Sequence, residues 1–284
     1  MTDNPSRGRP SGGAPPSSPA RGLRLGWVRG VPIYLSPVAL LFAALIASLF
    51  AQLDRDRLPE LTDGQVYALA AATAVGLLVS LVLHELGHCL AALRFGLAVR
   101  SVTVYGFAGF TEIEPEPQTP AREFVVAVAG PLVNGVLAAG CWLGFELVDG
   151  GSRPAVLLFD LAVTNLGLFV FNLAPGLPLD GGRLVVSGVW AATRSKVKAT
   201  RAGAYAGFVV AAALALWGVQ ITAAGGSGIW TLAVAAFLAL GAQQSLRRAQ
   251  VRERLPGLSA GRLARRTLPV DGSLPLAEAL RRAT

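Results

Sequence analysis

The 284-residue sequence predicts an all-α polytopic membrane protein. Six transmembrane helices are expected, with a small cytoplasmic-side β-hairpin or sheet between the second and third. Three observations carry this reading. Hydrophobic residues make up 53% of the chain and charged residues only 15%, with a mean hydropathy of +0.53. A soluble domain carries about a quarter charged residues, so the composition leans toward a membrane protein and excludes a disordered chain. Uncharged runs occupy 30–53, 64–83, 124–145, 161–179 and 202–246, and about 20 residues cross a bilayer. Finally, the basic residues collect on alternate connecting segments.

Residues 1–29 are rich in Pro, Gly, Ser and Arg and read as a disordered cytoplasmic tail. No short basic region precedes the first apolar run, so a cleaved signal peptide is not expected. The membrane domain is assigned to 30–246, with a core at about 64–192. Its last run is too long for one helix, and Gly225–Gly228 divides it into two spans. With the N-terminus inside, the segments 1–29, 94–123, 183–201 and 247–284 hold 22 of the 25 basic residues. That asymmetry predicts both termini in the cytoplasm. It also accounts for the net charge of +8 without a nucleic-acid partner. The Arg- and Ala-heavy composition points to a GC-rich bacterium and its cell membrane.

Between the second and third spans, residues 97–117 alternate and are rich in β-branched and aromatic side chains. They read as a hairpin or sheet with bends at Gly106 and Gly109. Its edge could hold an extended peptide by strand addition, or the hairpin could serve only as a packed connection. The two cysteines, Cys89 and Cys141, are too few for a disulfide framework and suit small-residue packing.

Chemistry concentrates in a few groups. Both histidines of the chain, His84 and His88, stand four apart in Leu83-His84-Glu85-Leu86-Gly87-His88 at the end of the second span. On a helix that spacing puts two imidazoles on one face, able to share Zn²⁺, with Glu85 able to take a proton from water beside the metal. A catalytic zinc needs a third protein ligand. No third histidine exists, so a carboxylate must serve, and Asp160 and Asp180 are the candidates. Asp180 lies three residues before Arg183, at the cytoplasmic end that also holds the histidines; Asp160 lies toward the outer face. Depth therefore selects Asp180, and leaves Asp160 as an interfacial or helix-pairing group. The Pro- and Gly-rich segment 175–182 cannot be regular helix, which at membrane depth fits only a watery or protein-lined site.

Three segments together resemble the site-2 protease family of intramembrane zinc metalloproteases. They are His84-Glu85-Leu86-Gly87-His88, Ala129-Gly130-Pro131-Leu132-Val133-Asn134, and the run from Phe171 through Asn172 to Leu179-Asp180-Gly181-Gly182-Arg183. The resemblance spans roughly 24–246. It implies one Zn²⁺ on His84, His88 and Asp180, with Glu85 as general base, in a core formed by the second to fourth spans. It further implies cleavage of a single-span membrane protein near the cytoplasmic side, that is, regulated intramembrane proteolysis. Asn134 could bind substrate or stabilise the oxyanion, or it could bond between helices beside Gly130 and Gly135; both readings stay open. A metal transporter and a catalytically silent scaffold are the alternative functions. Homo-oligomerisation stays open as well.

The cytoplasmic tail 247–284 contains a stretch resembling the opening strand and helix of a CBS domain, an adenine-nucleotide module of some relatives. It is too short for that domain, so either the chain ends inside one or the tail is an unrelated amphipathic helix. A nucleotide partner would require the full domain.

Overall fold

The computed structural model describes residues 22–105 and 108–254. Most of the expected N-terminal tail and the CBS-like segment lie outside the described residues. In chain order the elements are β1 (Leu23–Val28), β2 (Val31–Leu35), α1 (Pro37–Arg57), α2 (Asp63–Arg94), β3 (Val99–Tyr105) and β4 (Ala108–Ile113). There follow α3 (Pro120–Glu146), α4 (Arg153–Asn172), α5 (Asp180–Thr193), α6 (Lys196–Ala223) and α7 (Ile229–Arg254).

Among the described residues, six of the seven helices (all but α5) are long and apolar enough to cross a membrane. Their starts follow from local chemistry. Ser36, Thr119 and Ser152 cap α1, α3 and α4 with side-chain oxygens, each followed by a proline in the first turn. Thr62 and Gln65 form a reciprocal capping box on α2. A turn at 224–228 separates α6 from α7, as the glycines there require. Large apolar side chains such as Val209, Leu216 and Leu240 stay exposed on these two helices, which suits contact with lipid.

The sheet has four strands in the order β1-β2-β3-β4, with β2 and β3 parallel. Half of it comes from residues expected to be tail or first span, since β1 and β2 precede α1. The reason lies in a short hairpin hidden inside an apolar run. Val28 pairs with Val31 across Arg29-Gly30, both at positive φ, which is the two-residue turn that matches strand twist. Val31, Ile33 and Leu35 alternate inward, and α1 starts only at Pro37.

The inner face of the sheet lies on the second half of α2. Val31, Ile33 and Val102 pack around Cys89, while Leu35 and Val104 pack around Leu81. Cys89 is thus core packing. Gly109 is not at a bend but within β4, opposite Val104; Gly106 lies outside the described residues. One further difference concerns 183–201, expected as a connecting segment. It is mostly helical, forming α5 and the start of α6.

Candidate metal centre

His84 and His88 project from the same face of α2, both nearly buried, where α3 crosses very closely. Small residues permit that approach. A Cβ on Gly87 would lie 2.7 Å from the carbonyl oxygen of Ala129. One on Gly130 would press on the His88 ring and lie 2.7 Å from Nε2 of His84. The Gly130-Pro131 pair of α3 therefore forms the floor under the two imidazoles.

Hydrogen bonds settle which ring nitrogen is free. The His88 Nδ1 is 2.7 Å from the carbonyl oxygen of Val126, which can only accept. Nδ1 must carry the proton, leaving the Nε2 lone pair free. For His84 the same conclusion comes through a chain of amides. The carbonyl of Leu161 accepts from Asn165 Nδ2 at 2.8 Å; Asn165 Oδ1 then accepts from Asn134 Nδ2 at 2.9 Å. That orientation turns Asn134 Oδ1 toward His84 Nδ1, 2.5 Å away. His84 thus donates from Nδ1 and also keeps Nε2 bare.

Asp180 opens α5, and the loop before it is tied to α6. Leu177 N–H donates to the Gly203 carbonyl at 3.0 Å, and Gly176 abuts Gly207. The Asp180 Oδ2 lies 3.1 Å from His84 Nε2 and 3.2 Å from His88 Nε2; the two Nε2 atoms are 3.2 Å apart. Three lone-pair donors face one another with no proton between them in these tautomers. Zinc bonds of 2.0–2.1 Å in a tetrahedron give a ligand–ligand edge of about 3.3 Å. The triangle matches one face of such a site, so the residues fit the metal. Asp160, by contrast, stands elsewhere, paired with Arg57 of α1 at 2.5 Å.

Glu85 faces the other side of the same turn, with a carboxylate oxygen within 4.8 Å of the histidine ligand atoms. It is buried beneath β4. Thr111 Oγ1 donates to Glu85 Oε2 at 2.7 Å, and a Cβ at Gly109 would collide with the Glu85 side chain. Close approach of strand and carboxylate thus explains the glycine.

Sequence reasoning brought His84, Glu85, His88 and Asp180 to one place. It missed the groups that hold them: Asn165, Thr111, and the pair Glu123 and Arg183. Arg183 donates from Nε to Glu123 Oε1 at 2.9 Å, and its Nη1 stands 3.8 Å from Asp180 Oδ1. The only available signal was that Arg183 directly follows the Asp-Gly-Gly run. Asn134 was noticed, and at 0% exposure its oxygen faces His84 and its nitrogen donates to Asn165.

Comparison with known proteins bears on this geometry. The sequence profile of peptidase family M50 matches residues 72–151 and 146–217. The putative zinc metalloprotease sll0528 of Synechocystis is 36% identical over 242 residues, covering 84% of this chain and 63% of that protein. The putative zinc metalloprotease Rip3 of Mycobacterium tuberculosis is 37% identical over 197 residues, or 68% of this chain and 50% of its own length. The chain therefore spans between half and two thirds of these relatives. Among solved structures, the site-2 protease from Methanocaldococcus jannaschii superposes with a TM-score of 0.59, covering 89% of this chain and 99% of its own. At 24% identity that likeness concerns the fold.

Proposed function

The chain belongs to peptidase family M50, and on that premise we propose that it is a zinc metalloendopeptidase of the bilayer. Its substrate is a membrane protein with a single span, cut within or beside that span near the cytoplasmic side. The observation that carries the reading is the bare triangle of His84 Nε2, His88 Nε2 and Asp180 Oδ2 with Glu85 beside it.

In this reading His84, His88 and Asp180 hold one Zn²⁺. Bound there, zinc supplies Lewis-acid polarisation of the scissile carbonyl and acidifies the attacking water. Glu85 accepts the proton of that water as its oxygen adds to the carbonyl carbon. The same carboxyl then returns the proton to the amine nitrogen as the C–N bond breaks. Thr111 aims the carboxylate through Oε2. Asn134 and the Val126 carbonyl keep the imidazole protons on Nδ1, and Arg183, braced by Glu123, holds the second oxygen of Asp180.

A peptide bond inside a helix has its carbonyl engaged, so the substrate must be extended before attack. Among the described residues β4 pairs on one side only. Its open edge, directly above Glu85, suits an added strand whose main chain would be held while its carbonyl is attacked. The basic residues supply the orientation: the ends of α2, α5 and α7 near the sheet and the start of α6 lie on the cytoplasmic face, and the termini lie there too.

The test is cleavage of a single-span substrate by purified protein. Glu85→Gln should keep about one zinc per chain and lose cleavage; Asp180→Asn should lose zinc as well. Cleavage that persists in Glu85→Gln overturns the mechanism.

A further inference from the structure

Asp160 has a second carboxylate beside it. Asp54 of α1 is fully buried, Asp160 of α4 is 2% exposed, and both carboxyl groups flank the same guanidinium, that of Arg57. Arg57 donates to Asp160 Oδ1 at 2.5 Å and stands 4.0 Å from Asp54 Oδ1. Two carboxylates against one guanidinium leave one negative charge uncompensated in a buried place, which is strongly unfavourable.

The unpaired oxygens mark the same spot. Among the described residues, the buried side-chain polar atoms without a hydrogen-bond partner are Asp54 Oδ1 and Oδ2, Asp160 Oδ2 and Thr73 Oγ1. Helix packing brings these three residues together. Leu69 of α2 packs on Val156 of α4, and Gly76 of α2 abuts Leu161. One turn on from Leu69 is Thr73, and one turn on from Val156 is Asp160, so helix periodicity sets the two residues at one level on the facing sides of α2 and α4. On α1, Asp54 falls on the face between Ala51, which packs near Ala70, and Leu58, which packs near Leu69. Three helices thus carry unpartnered buried oxygens at one level of the bundle, and buried groups of this kind require a partner.

We propose that Asp54, Asp160 and Thr73 form a binding site for one monovalent positive charge, a proton or a sodium ion. The site lies on α2 about 16 Å from His84, at 1.5 Å per residue, toward the opposite end of the bundle. It is independent of the peptidase reading. Arg57 is the charged side chain that reaches it. Arg55 is turned to exposed Asp63 at 3.0 Å, and Phe159, which the Arg57 guanidinium covers, packs on Phe145 of α3. A cavity of 230 Å³ is bordered by Arg57, the shared neighbour of both carboxyls, and by Val156 and Phe159. Once bound, the charge ties α1 and α4 to the outer half of the helix that carries both histidines.

The experiment measures unfolding of the full chain in detergent with zinc saturating. One series replaces N-methylglucamine chloride by sodium chloride at pH 8 and constant ionic strength. The other lowers the pH from 8 to 5 without sodium. Uptake of one charge makes the unfolding constant fall about tenfold for each tenfold rise in the bound species once its concentration exceeds the dissociation constant. Asp54→Asn, which leaves Arg57 and Asp160 as a neutral pair, should abolish the response. Thr73→Val separates the sources: it removes an oxygen ligand of sodium and spares a proton shared by the two carboxyls. A sodium response lost in both variants identifies the ion; a pH response lost only in Asp54→Asn identifies the proton. A wild type that responds in neither series overturns the proposal, whether or not the variant folds. So does an Asp54→Asn protein that responds like wild type, since water alone would then fill the space.

Discussion

Asn134→Ala separates two roles for this residue by opposite signatures. Its Oδ1 receives the Nδ1 proton of His84 at 2.5 Å in a place with no exposure. Removing the acceptor leaves that N–H unpartnered, at a cost of about 1–3 kcal/mol. Alternatively the imidazole moves its proton to Nε2 and surrenders the lone pair that faces Asp180. At 1.4 kcal/mol per factor of ten, zinc should bind about 5- to 150-fold more weakly. Losses of this size are usual when the partner of a metal-ligating histidine is removed. The measurement is competition for zinc against a chelator of known affinity, on detergent-purified protein. Asn134→Asp, which still presents an acceptor to His84, should restore binding to within a few-fold of wild type. If Asn134 instead stabilised the oxyanion, Asn134→Ala would lower kcat by about 10²–10³ with zinc affinity unchanged. In that case Asn134→Asp, placing a negative charge there, would be worse still. That second pattern would refute the positioning role.

Three other outcomes test the surrounding parts. Thr111→Val should lower kcat on the order of tenfold while zinc content stays at wild type, because only the aim of Glu85 changes; turnover and metal analysis decide it. Gly130→Ala places a methyl group against both Nε2 atoms, so zinc binding should be lost and stability should fall by about 1–3 kcal/mol, as seen by metal analysis and thermal unfolding. Glu116 follows β4 and pairs with Lys196 of α6 at 2.9 Å and with Arg252 of α7. Burial alone would push its carboxyl up, but those two cations hold it down at about 2, against an ordinary 4.5. A depressed acid stabilises the fold above its unfolded value. Acidification from pH 4.5 toward 2 should therefore destabilise wild type more than Glu116→Gln. Half-exposure and salt make the difference small, and equal losses in unfolding midpoint would refute it.

What the sequence revealed and what it hid divide along a physical line. The spans were legible because a charge in lipid is costly, so each helix appears as a gap in the charge pattern. The hairpin of β1 and β2 was invisible for the same reason. Residues 30–35 carry no charge, and an apolar strand merges with the apolar helix that follows it. Only the Arg29-Gly30 pair and the alternation of Val31, Ile33 and Leu35 marked the boundary. The proline at 37 then fitted a helix start better than a helix interior.

The zinc triangle shows a similar division at the scale of side chains. Two of its members share one helical face, so their spacing announces them. Asp180 comes from 92 residues beyond His88 and was reached through depth and the family resemblance, since the ligands of one metal must lie at one level. The supporting groups obey no such rule. Asn165 acts on His84 through Asn134, across three helices, and any residue able to offer one acceptor and one donor there would look the same in sequence. Asp160 is the instructive exception. It was set aside from the zinc because its depth was wrong, and the structure finds at that depth a second buried carboxylate and a hydroxyl that, like its own Oδ2, lack a hydrogen-bond partner. In a bilayer, depth sorts ionisable residues into separate sites as effectively as spacing sorts them along a helix. The acid left over from one site is therefore where a second should be sought.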